Sequence, residues 1–343
     1  MIHGGEIFNK NVLFDFSVNL NPLGVPQKVK KALIENVEFV DRYPDIHNGR
    51  LIEECEDVFN VSKENILFGN GASELFMAIA HAIAPRKVVI PVPSFYGYEY
   101  VSKAVNADIL FYEKDQENNF ETDEKIFSVL TEDVDLLWIA NPNNPDGNLL
   151  SGQFLSKLLK HCDNNGVIVV VDECFISFCQ GDNSVLHEIN SYRNLIVVRA
   201  FTKIFSIPSV RLGYLVSGRQ DLVKKIGSNL PEWNLSGFAQ AAGISCFNEK
   251  DYVIRTAGFV RDERIFLKKG LEVLSIKVYP GEANFLLVYS EKDLYKHLLK
   301  QGILIRDCSN FRGLKKGFYR IAVKDRISNE RLLESLSSIL GRK

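Results

Sequence analysis

The sequence is short of the features that mark a chain for an oxidising compartment, a membrane or nucleic acid. Its six cysteines (Cys55, Cys162, Cys174, Cys179, Cys246 and Cys308) are scattered and form no CxxC pair. That argues against a disulfide framework and a structural zinc site, and leaves free thiols in a reducing cytoplasm as the expectation. Lysine and arginine number 41 against 43 acidic residues, a net charge of −2. Such balance gives no electrostatic reason to expect nucleic acid or an anionic membrane as partner. The longest apolar runs, VVIPVP and GVIVVV, are strand-sized and far short of a membrane span. The opening MIHGGEIFNKN lacks the apolar core of a secretory signal. No repeat, low-complexity tract or linker interrupts the chain. What is present is the composition of a globular enzyme, 46% apolar and 24% charged over 343 residues. That length exceeds what one core comfortably supports, so a large and a smaller domain are expected.

The middle of the chain alternates short β-rich runs with helical patterns. KVVIPVP (87–93), ADILFYE (107–113), DLLWIAN (135–141), GVIVVVDE (166–173), LIVVRAF (195–201) and LGYLVS (212–217) read as strands. Several are apolar throughout, as strands covered on both faces are. Between them lie helical stretches such as 73–84 and 152–164. This alternation predicts an α/β fold with a mostly parallel sheet flanked by helices. Past residue 238 the rhythm changes to a long helical region (238–273), then SIKVYP, NFLLVYS, GILIRD and GFYRIAVK, and a last helix NERLLESLSSIL. The expected division is an extended N-terminal arm (1–25), packed on the small domain or on a partner subunit, a large domain (26–238) and a small α+β domain (239–343).

Ligands of open α/β sheets bind at the carboxyl ends of strands, and the polar motifs of this chain fall there. GNGASE (69–74) is either a plain turn with Ser73 as helix cap or an anion cradle. In the second reading the amides of Ala72 and Ser73 face out of a helix N-terminus. NPNNPDG (141–147) is either a rigid turn or a loop that offers the amide of Asn144 to a ring oxygen. VVVDECF (169–175) puts Asp172 at the end of a strand too apolar for the surface, with Glu173 the more peripheral acid. A buried carboxylate is costly without a cation. Asp172 is therefore either the partner of a protonated pyridine nitrogen or a structural acid bonded to backbone amides. RAFTKIFSIPSVRLGYL (199–215) brings Thr202 and Lys203 out of the next strand, and Arg211, eight residues on, can return to the anion of GNGASE. Cradle, ring-oxygen donor, buried acid and lysine match the phosphate, phenolic oxygen, ring nitrogen and aldehyde of pyridoxal 5′-phosphate.

GNGASE, NPNNPDG, VDECF and TKIFSIPSVRLG together resemble the class I/II aminotransferase-type, fold-type-I pyridoxal-phosphate enzymes, over essentially the whole chain. The branch most similar contains histidinol-phosphate aminotransferases and L-threonine-O-3-phosphate decarboxylases. The resemblance implies a cytoplasmic homodimer with pyridoxal 5′-phosphate as cofactor. Lys203 matches the lysine that bonds the cofactor covalently, and Asp172 the acid on its ring nitrogen. Asn144 matches the donor to the phenolic oxygen, and Phe95 of PSFYGY an aromatic stacked on the ring. Ala72, Ser73, Thr202 and Arg211 match phosphate contacts. Tyr43 of RYPD matches a tyrosine that reaches the neighbouring subunit's phosphate.

The same cofactor serves transamination and decarboxylation, so substrate orientation decides. Arg306 in GILIRD and Arg320 in GFYRIAV match the family's ligands for the substrate's carboxylate and phosphate; surface salt bridges are the other reading of Arg306. IHGGEI, FSVNLNPLGVP, GILIRDCSNFRGL and YPGEANFLLV resemble the decarboxylases, which makes His3 and Asn21 expected substrate contacts. Phe175 stands where the aminotransferases usually carry a tyrosine bonded to the cofactor oxygen. Two departures from the family are Ala200, often Ser or Thr, and Asp146, an acid near the site where Thr is usual. The expected reaction is decarboxylation of L-threonine O-3-phosphate, or its serine counterpart, to an aminoalkyl phosphate for cobalamin-type cofactors. The alternative is an aminotransferase acting on histidinol phosphate with 2-oxoglutarate and glutamate. A non-catalytic cofactor-binding domain of a DNA-binding regulator is disfavoured by the near-neutral charge.

Overall fold

The computed structural model describes residues 4–5, 7–8, 10–59 and 61–341. Its strands in chain order are β1 (Phe14–Asp15), β2 (Ile66–Gly69), β3 (Lys87–Val92), β4 (Asp108–Glu113), β5 (Leu136–Ala140), β6 (Ile168–Asp172) and β7 (Leu195–Ala200). They continue with β8 (Gly213–Ser217), β9 (Lys277–Val278), β10 (Phe285–Tyr289), β11 (Ile303–Leu304), β12 (Arg306–Asp307) and β13 (Phe318–Ala322). Seven strands form the main sheet in the order β2-β8-β7-β6-β5-β3-β4. All its neighbours pair parallel except β8, which runs antiparallel to both β2 and β7. The α/β, mostly parallel architecture expected from the apolar runs is therefore present, and each of the six expected strands lies within its run. β2 is the addition: ILFG is only four residues long, too short to show a period.

The runs are apolar because both faces of the sheet are covered. Leu136, Leu137 and Trp138 of β5 are fully buried, and their alternating side chains feed two separate cores. The helices Ala72–Ile83 and Gly97–Ala104 cover one face, while Gly152–Asn164 covers the other. The long helical region expected over 238–273 divides at Asn248–Glu249 into Gly237–Phe247 and Lys250–Val273. The first of these packs on Gln27–Glu35 and Gly49–Phe59. Its Ala239, Ala242 and Cys246 belong to the large-sheet core, which continues along the second helix to Val260. Leu267 and Leu271 of that second helix lie in the core of the small sheet. One helix thus joins both cores.

The smaller sheet is antiparallel, β12-β13-β10-β9. GILIRD splits in two: β12 joins this sheet, and β11 pairs parallel with β1 of the N-terminal arm, Phe14 opposite Ile303. Asn21 then fastens the arm to the large domain. Its Nδ2 donates to the Ile204 carbonyl (2.7 Å) and to Thr256 Oγ1 (2.8 Å), and its Oδ1 accepts from the Leu23 amide (2.9 Å).

Asp146, expected near the site, is used elsewhere. Its carboxylate is wholly buried and pairs at 2.6 Å with Lys114, just past β4, the two side chains being 0% and 1% exposed. It also accepts from Asn143 Nδ2 (2.6 Å) and the Asn148 amide (3.0 Å), so one carboxylate holds the whole NPNNPDG loop from inside. Burial depresses the ammonium pKa of Lys114, and Asp146 opposes that shift. Lys114→Met strands a buried charge and is expected to cost about 3–5 kcal/mol, lowering the urea unfolding midpoint. Lys114→Met with Asp146→Asn removes both charges, keeps the acceptor for Asn148 and should regain most of that loss. An unchanged midpoint in the single variant would contradict this account.

Candidate active site

The carboxyl ends of β3, β5, β6 and β7 open into a cavity of 1190 Å³, closed on the far side by the small sheet and the N-terminal arm. Lys203 lies in a single helical turn, Phe201–Ile204, directly after β7. Its ammonium has no carboxylate partner among the described residues. Burial first, then the positive Arg320 and Arg211, lower its pKa from 10.5 to about 8. The backbone of that turn is clamped from behind, where the Asn21 amide donates to the Lys203 carbonyl at 3.1 Å. Asn21, expected to touch substrate, therefore does not reach the cavity; its side chain is consumed in holding the turn that carries Lys203.

Asp172 ends β6 at the cavity wall. One oxygen accepts the Tyr98 hydroxyl at 2.5 Å and the other the Cys174 amide at 2.9 Å. No cation pairs with it among the described residues, and burial raises its carboxyl pKa against those two donors. Tyr98 is a functional residue that the motif reading passed over. It lies three residues after Phe95, on the helix Gly97–Ala104, stacked on Trp138 (5.6 Å, 7°) and edge-on to Phe95 (5.7 Å). Its signal was present: helical spacing from Phe95 carries a tyrosine to the same wall. Glu173, expected to be peripheral, is instead the more buried acid, 1% exposed against 9% for Asp172. Successive strand residues point to opposite faces, so Glu173 turns away from the cavity. Its Oε2 accepts from both Arg199 Nε and Nη2, at 2.9 and 2.8 Å.

The cradle follows β2. The helix Ala72–Ile83 has Gly71 as its N-cap, not Ser73, and no side chain caps it. The amides of Ala72 and Ser73 are thereby left for an anion. Gly71 has φ +78, and a Cβ there would lie 2.6 Å from Nη2 of Arg211. The guanidinium is thus laid across the cradle's backbone. β8 can pass beneath only because residue 213 is glycine, since a Cβ would meet the Ala72 nitrogen at 2.8 Å. Thr202 and Ala200 line the cavity at the end of β7, and Phe95 lines it beyond β3.

Asn144 is buried, and its Oδ1 accepts from Arg320 Nη1 at 2.6 Å, which leaves Nδ2 as its available donor. Arg320 also donates from Nη2 to the Ser17 carbonyl (2.9 Å) and faces Asn19, whose amide oxygen, turned inward, lies 3.2 Å from Nη1 and Nε. Arg306 donates to the Asp307 carbonyl and, from Nη2, to Asn310 Oδ1 (2.7 Å), with its guanidinium 5.2 Å from the Phe311 ring. In register, Arg306 stands directly opposite Arg320 on the β12–β13 pair. Both line the cavity and both are buried. Neither has a carboxylate partner among the described residues, and burial together with Arg306 lowers the pKa of Arg320 to about 10. Of the arm, Ser17, Val18 and Asn19 line the cavity. His3 lies outside the described residues. Tyr43 does not line this cavity; it is 83% exposed and packs at a tilt of 44° against Trp233, ring centres 5.1 Å apart.

These residues fit pyridoxal 5′-phosphate. A buried carboxylate without a cation suits a protonated ring nitrogen, and a depressed lysine suits an aldehyde. An uncapped helix start under an arginine suits a phosphate, and Asn144 Nδ2 a ring oxygen. Among the described residues no cluster of His, Cys, Asp or Glu could hold a metal ion, and no helix is long and apolar enough to cross a membrane.

Comparison with known proteins agrees with the site. Residues 11–336 match the family model described as aminotransferase class I and II. The threonine-phosphate decarboxylase of Salmonella typhimurium is 32% identical over 98% of this chain and 96% of its own. The crystal structure of histidinol-phosphate aminotransferase from Clostridium acetobutylicum superposes with a TM-score of 0.90 at 32% identity, covering 96% of this chain and 99% of that one. The structure of histidinol-phosphate aminotransferase from Sinorhizobium meliloti in complex with pyridoxal-5′-phosphate shares the fold at a TM-score of 0.87 and 18% identity, over 96% and 91% of the two chains.

Only a neutral amine captures an aldehyde, so Lys203 of the apoprotein should react through a midpoint near pH 8. The rate at which apoprotein recaptures pyridoxal 5′-phosphate, followed by absorbance, is expected to rise with pH and level off above that midpoint. A midpoint at or above the 10.5 of a free lysine would contradict the burial argument. Lys203→Ala should lose the covalently held chromophore altogether. Tyr98→Phe removes a donor to the ionised Asp172 and should weaken cofactor retention by about tenfold, read by equilibrium dialysis. Unchanged retention would make Tyr98 a packing residue only.

Proposed function

The chain belongs to the aminotransferase class I and II family, with pyridoxal 5′-phosphate as cofactor, and from that premise we propose that it decarboxylates L-threonine O-3-phosphate to an aminoalkyl phosphate and CO₂. The observation that carries this reading is the buried pair Arg306 and Arg320, in register on adjacent strands and without carboxylate partners among the described residues. Like charges placed directly opposite repel, and buried guanidinium groups call for anions. A small substrate bearing a carboxylate and a phosphate supplies both. The name of the 32%-identical Salmonella protein supports the same substrate.

Pyridoxal 5′-phosphate supplies an electron sink for the pair left on Cα when a bond to it breaks. The rest is done by the chain. Asp172, held by Tyr98 and the Cys174 amide, would keep a proton on the ring nitrogen. Ala72, Ser73, Thr202 and Arg211 would hold the cofactor phosphate, and Asn144 would offer Nδ2 to the ring oxygen. Arg306 and Arg320 grip the substrate's two anions and so decide which bond of Cα is aligned for cleavage. Lys203 Nζ, a weak base in this cavity, returns a proton to Cα where the carboxylate has left. Phe95 and Phe175 line the same space and exclude water.

Phe175 favours decarboxylation over amino transfer. Its ring packs edge-on to Phe285 at 5.2 Å and offers no hydroxyl to the cofactor oxygen. A second reading, histidinol-phosphate aminotransfer, draws on the Clostridium acetobutylicum structure; the arginine pair could also take the two carboxylates of glutamate.

Tyr43, Val37, Phe39, Val40 and Trp233 are exposed and support a homodimer in which Tyr43 meets the second copy's cofactor phosphate. Six unpaired thiols, five of them buried, fit a cytoplasmic protein. The product would serve as the aminopropanol phosphate of cobalamin-type cofactors.

Purified enzyme with L-threonine O-3-phosphate is expected to release CO₂ and to form no glutamate-dependent product. Glutamate formed from histidinol phosphate and 2-oxoglutarate, with no CO₂ from threonine phosphate, would overturn the proposal in favour of the second reading. Arg306→Met should raise KM by at least about tenfold, the scale of a lost charge-assisted bond.

A further inference from the structure

In addition to Arg211 of the cradle and the pair Arg306 and Arg320, a fourth arginine stands at the cavity. Arg312 belongs to the loop 308–314, between β12 and β13, six residues of which, 309 to 314, follow one another along the cavity wall. Its guanidinium makes a bidentate pair with Glu99, Nη2 to Oε1 at 3.0 Å and Nε to Oε2 at 3.3 Å. It also lies flat against Phe111 of β4, 3.9 Å from the ring centre. Glu99 sits on the first turn of the helix Gly97–Ala104, directly behind Phe95 and Tyr98, and is held a second time by Lys103 at 2.6 Å. The pair therefore joins the small-sheet loop to the helix that carries one wall of the cofactor site.

What that loop does is visible in its other members. Asn310 accepts from Arg306 Nη2, and the Phe311 ring lies under the same guanidinium. Gly313, at φ +83, backs onto Pro93, where a Cβ would come within 3.3 Å of the Pro93 nitrogen. Cys308, Phe311 and Leu314 anchor the loop in an apolar cluster with Tyr279, Leu287 and Phe318, and Arg312 with Glu99 holds its outer face. An arginine that must meet an anion at a fixed angle needs its side chain set before the anion arrives.

We propose that Glu99 and Arg312 form a latch that holds the loop 308–314 closed, and thereby positions Arg306 for the substrate's anionic group. Both are positioning residues, acting through Asn310 and Phe311; neither is assigned a contact with the reacting atoms. This rests on the reading of Arg306 as an anion ligand given above. Because the Arg312 side chain is 47% exposed and that of Glu99 only 11%, the latch is set at the mouth of the cavity, where opening disturbs the site without unpacking the core. With Arg312 half-exposed and Glu99 held a second time by Lys103, loss of the pair is expected to appear in binding.

The test compares the holoenzyme with Arg312→Ala, Glu99→Gln and the charge-reversed Glu99→Arg/Arg312→Glu. Cofactor absorbance, melting temperature, and kcat and KM for L-threonine O-3-phosphate are measured for each. Both single variants should raise KM by about tenfold, the scale of one charge-assisted hydrogen bond, with cofactor absorbance and melting temperature held. The charge-reversed pair should recover most of the loss. Unchanged KM in the single variants, or no recovery on reversal, overturns the latch. So does a loss of cofactor absorbance, which would make the pair part of the cofactor site instead. If the wild-type enzyme releases no CO₂, the proposed reaction fails separately. Calorimetric binding of inorganic phosphate then decides the latch alone, with weaker binding in both single variants expected. No phosphate binding by wild type would overturn Arg306 as the anion ligand and the latch with it.

Discussion

Holding unpaired charge in a cavity of low dielectric is the constraint on which the rest of the structure depends. Asp172 is buried with uncharged donors, the Tyr98 hydroxyl and Cys174, and Arg320 with uncharged acceptors, the amide oxygens of Asn144 and Asn19 and the Ser17 carbonyl. Neither arrangement cancels the charge, and an uncompensated buried ion costs several kcal/mol. The fold tolerates this because its two cores are large and continuous on either side of the main sheet. The cost becomes useful when a cofactor and a doubly anionic substrate bring the missing partners, since the groups are already desolvated and aimed. Lys203 shows the same logic from the other side: burial and two nearby arginines push it toward the neutral form that the chemistry requires.

Around these charges the frame is fixed by groups that are paired. Lys114 with Asp146 locks the loop that aims Asn144. Arg199 with Glu173 ties the end of β7 to the end of β6 on the face away from the cavity. Asn21 clamps the turn of Lys203 to the arm and to Thr256. Each device is buried and fully bonded, and each sits one step in chain or space behind a group that is left unsatisfied. The division of labour follows strand geometry, because alternate residues face opposite sides: Asp172 faces the ligand, and Glu173 faces the scaffold.

Much of this was legible in the amino-acid order. The doubly covered strands were legible because burial on both faces leaves unbroken apolar runs, and β5 through β8 lie where those runs are. Asn144, Asp172 and Lys203 were legible as candidates because each follows such a run in a segment whose polarity the core cannot otherwise use, whereas Ala72 and Ser73 were marked by the glycines of GNGASE before a helix. What escaped depends on pairs far apart in sequence. Lys114 and Asp146 are 32 residues apart, and nothing local to NPNNPDG says that its acid is neutralised from β4. Tyr98 and Asp172 are 74 apart. Asn21, expected to touch substrate, lies within NLNPLG in an arm with no period of its own; the cavity is lined by Asn19 instead, while Asn21 bonds Ile204 and Thr256. Glu173 was misjudged because exposure was inferred from position at a strand end, when its partner Arg199 lies on the neighbouring strand.

The distinction between decarboxylation and amino transfer does not lie in the main sheet, which presents the same cradle, acid, amide and lysine to either chemistry. It lies where the substrate is oriented, and those groups come from the small sheet. Arg306 and Arg320 sit directly across an antiparallel pair, where Cα atoms stand about 4.5–5.5 Å apart and both side chains share one face. Two anions of one small molecule can be held at that spacing, and β10, paired with β13 on its other side, keeps their line rigid. A rotation of that line by a fraction of a turn would present a different bond of Cα for cleavage. The groups that set Arg306, Asn310 and Phe311, ride on a loop whose outer end is held to another element. On the proposed reading, the strand register and the loop anchor orient the substrate while Phe175 withholds a hydroxyl from the cofactor oxygen, which is why cofactor motifs alone leave the two chemistries side by side.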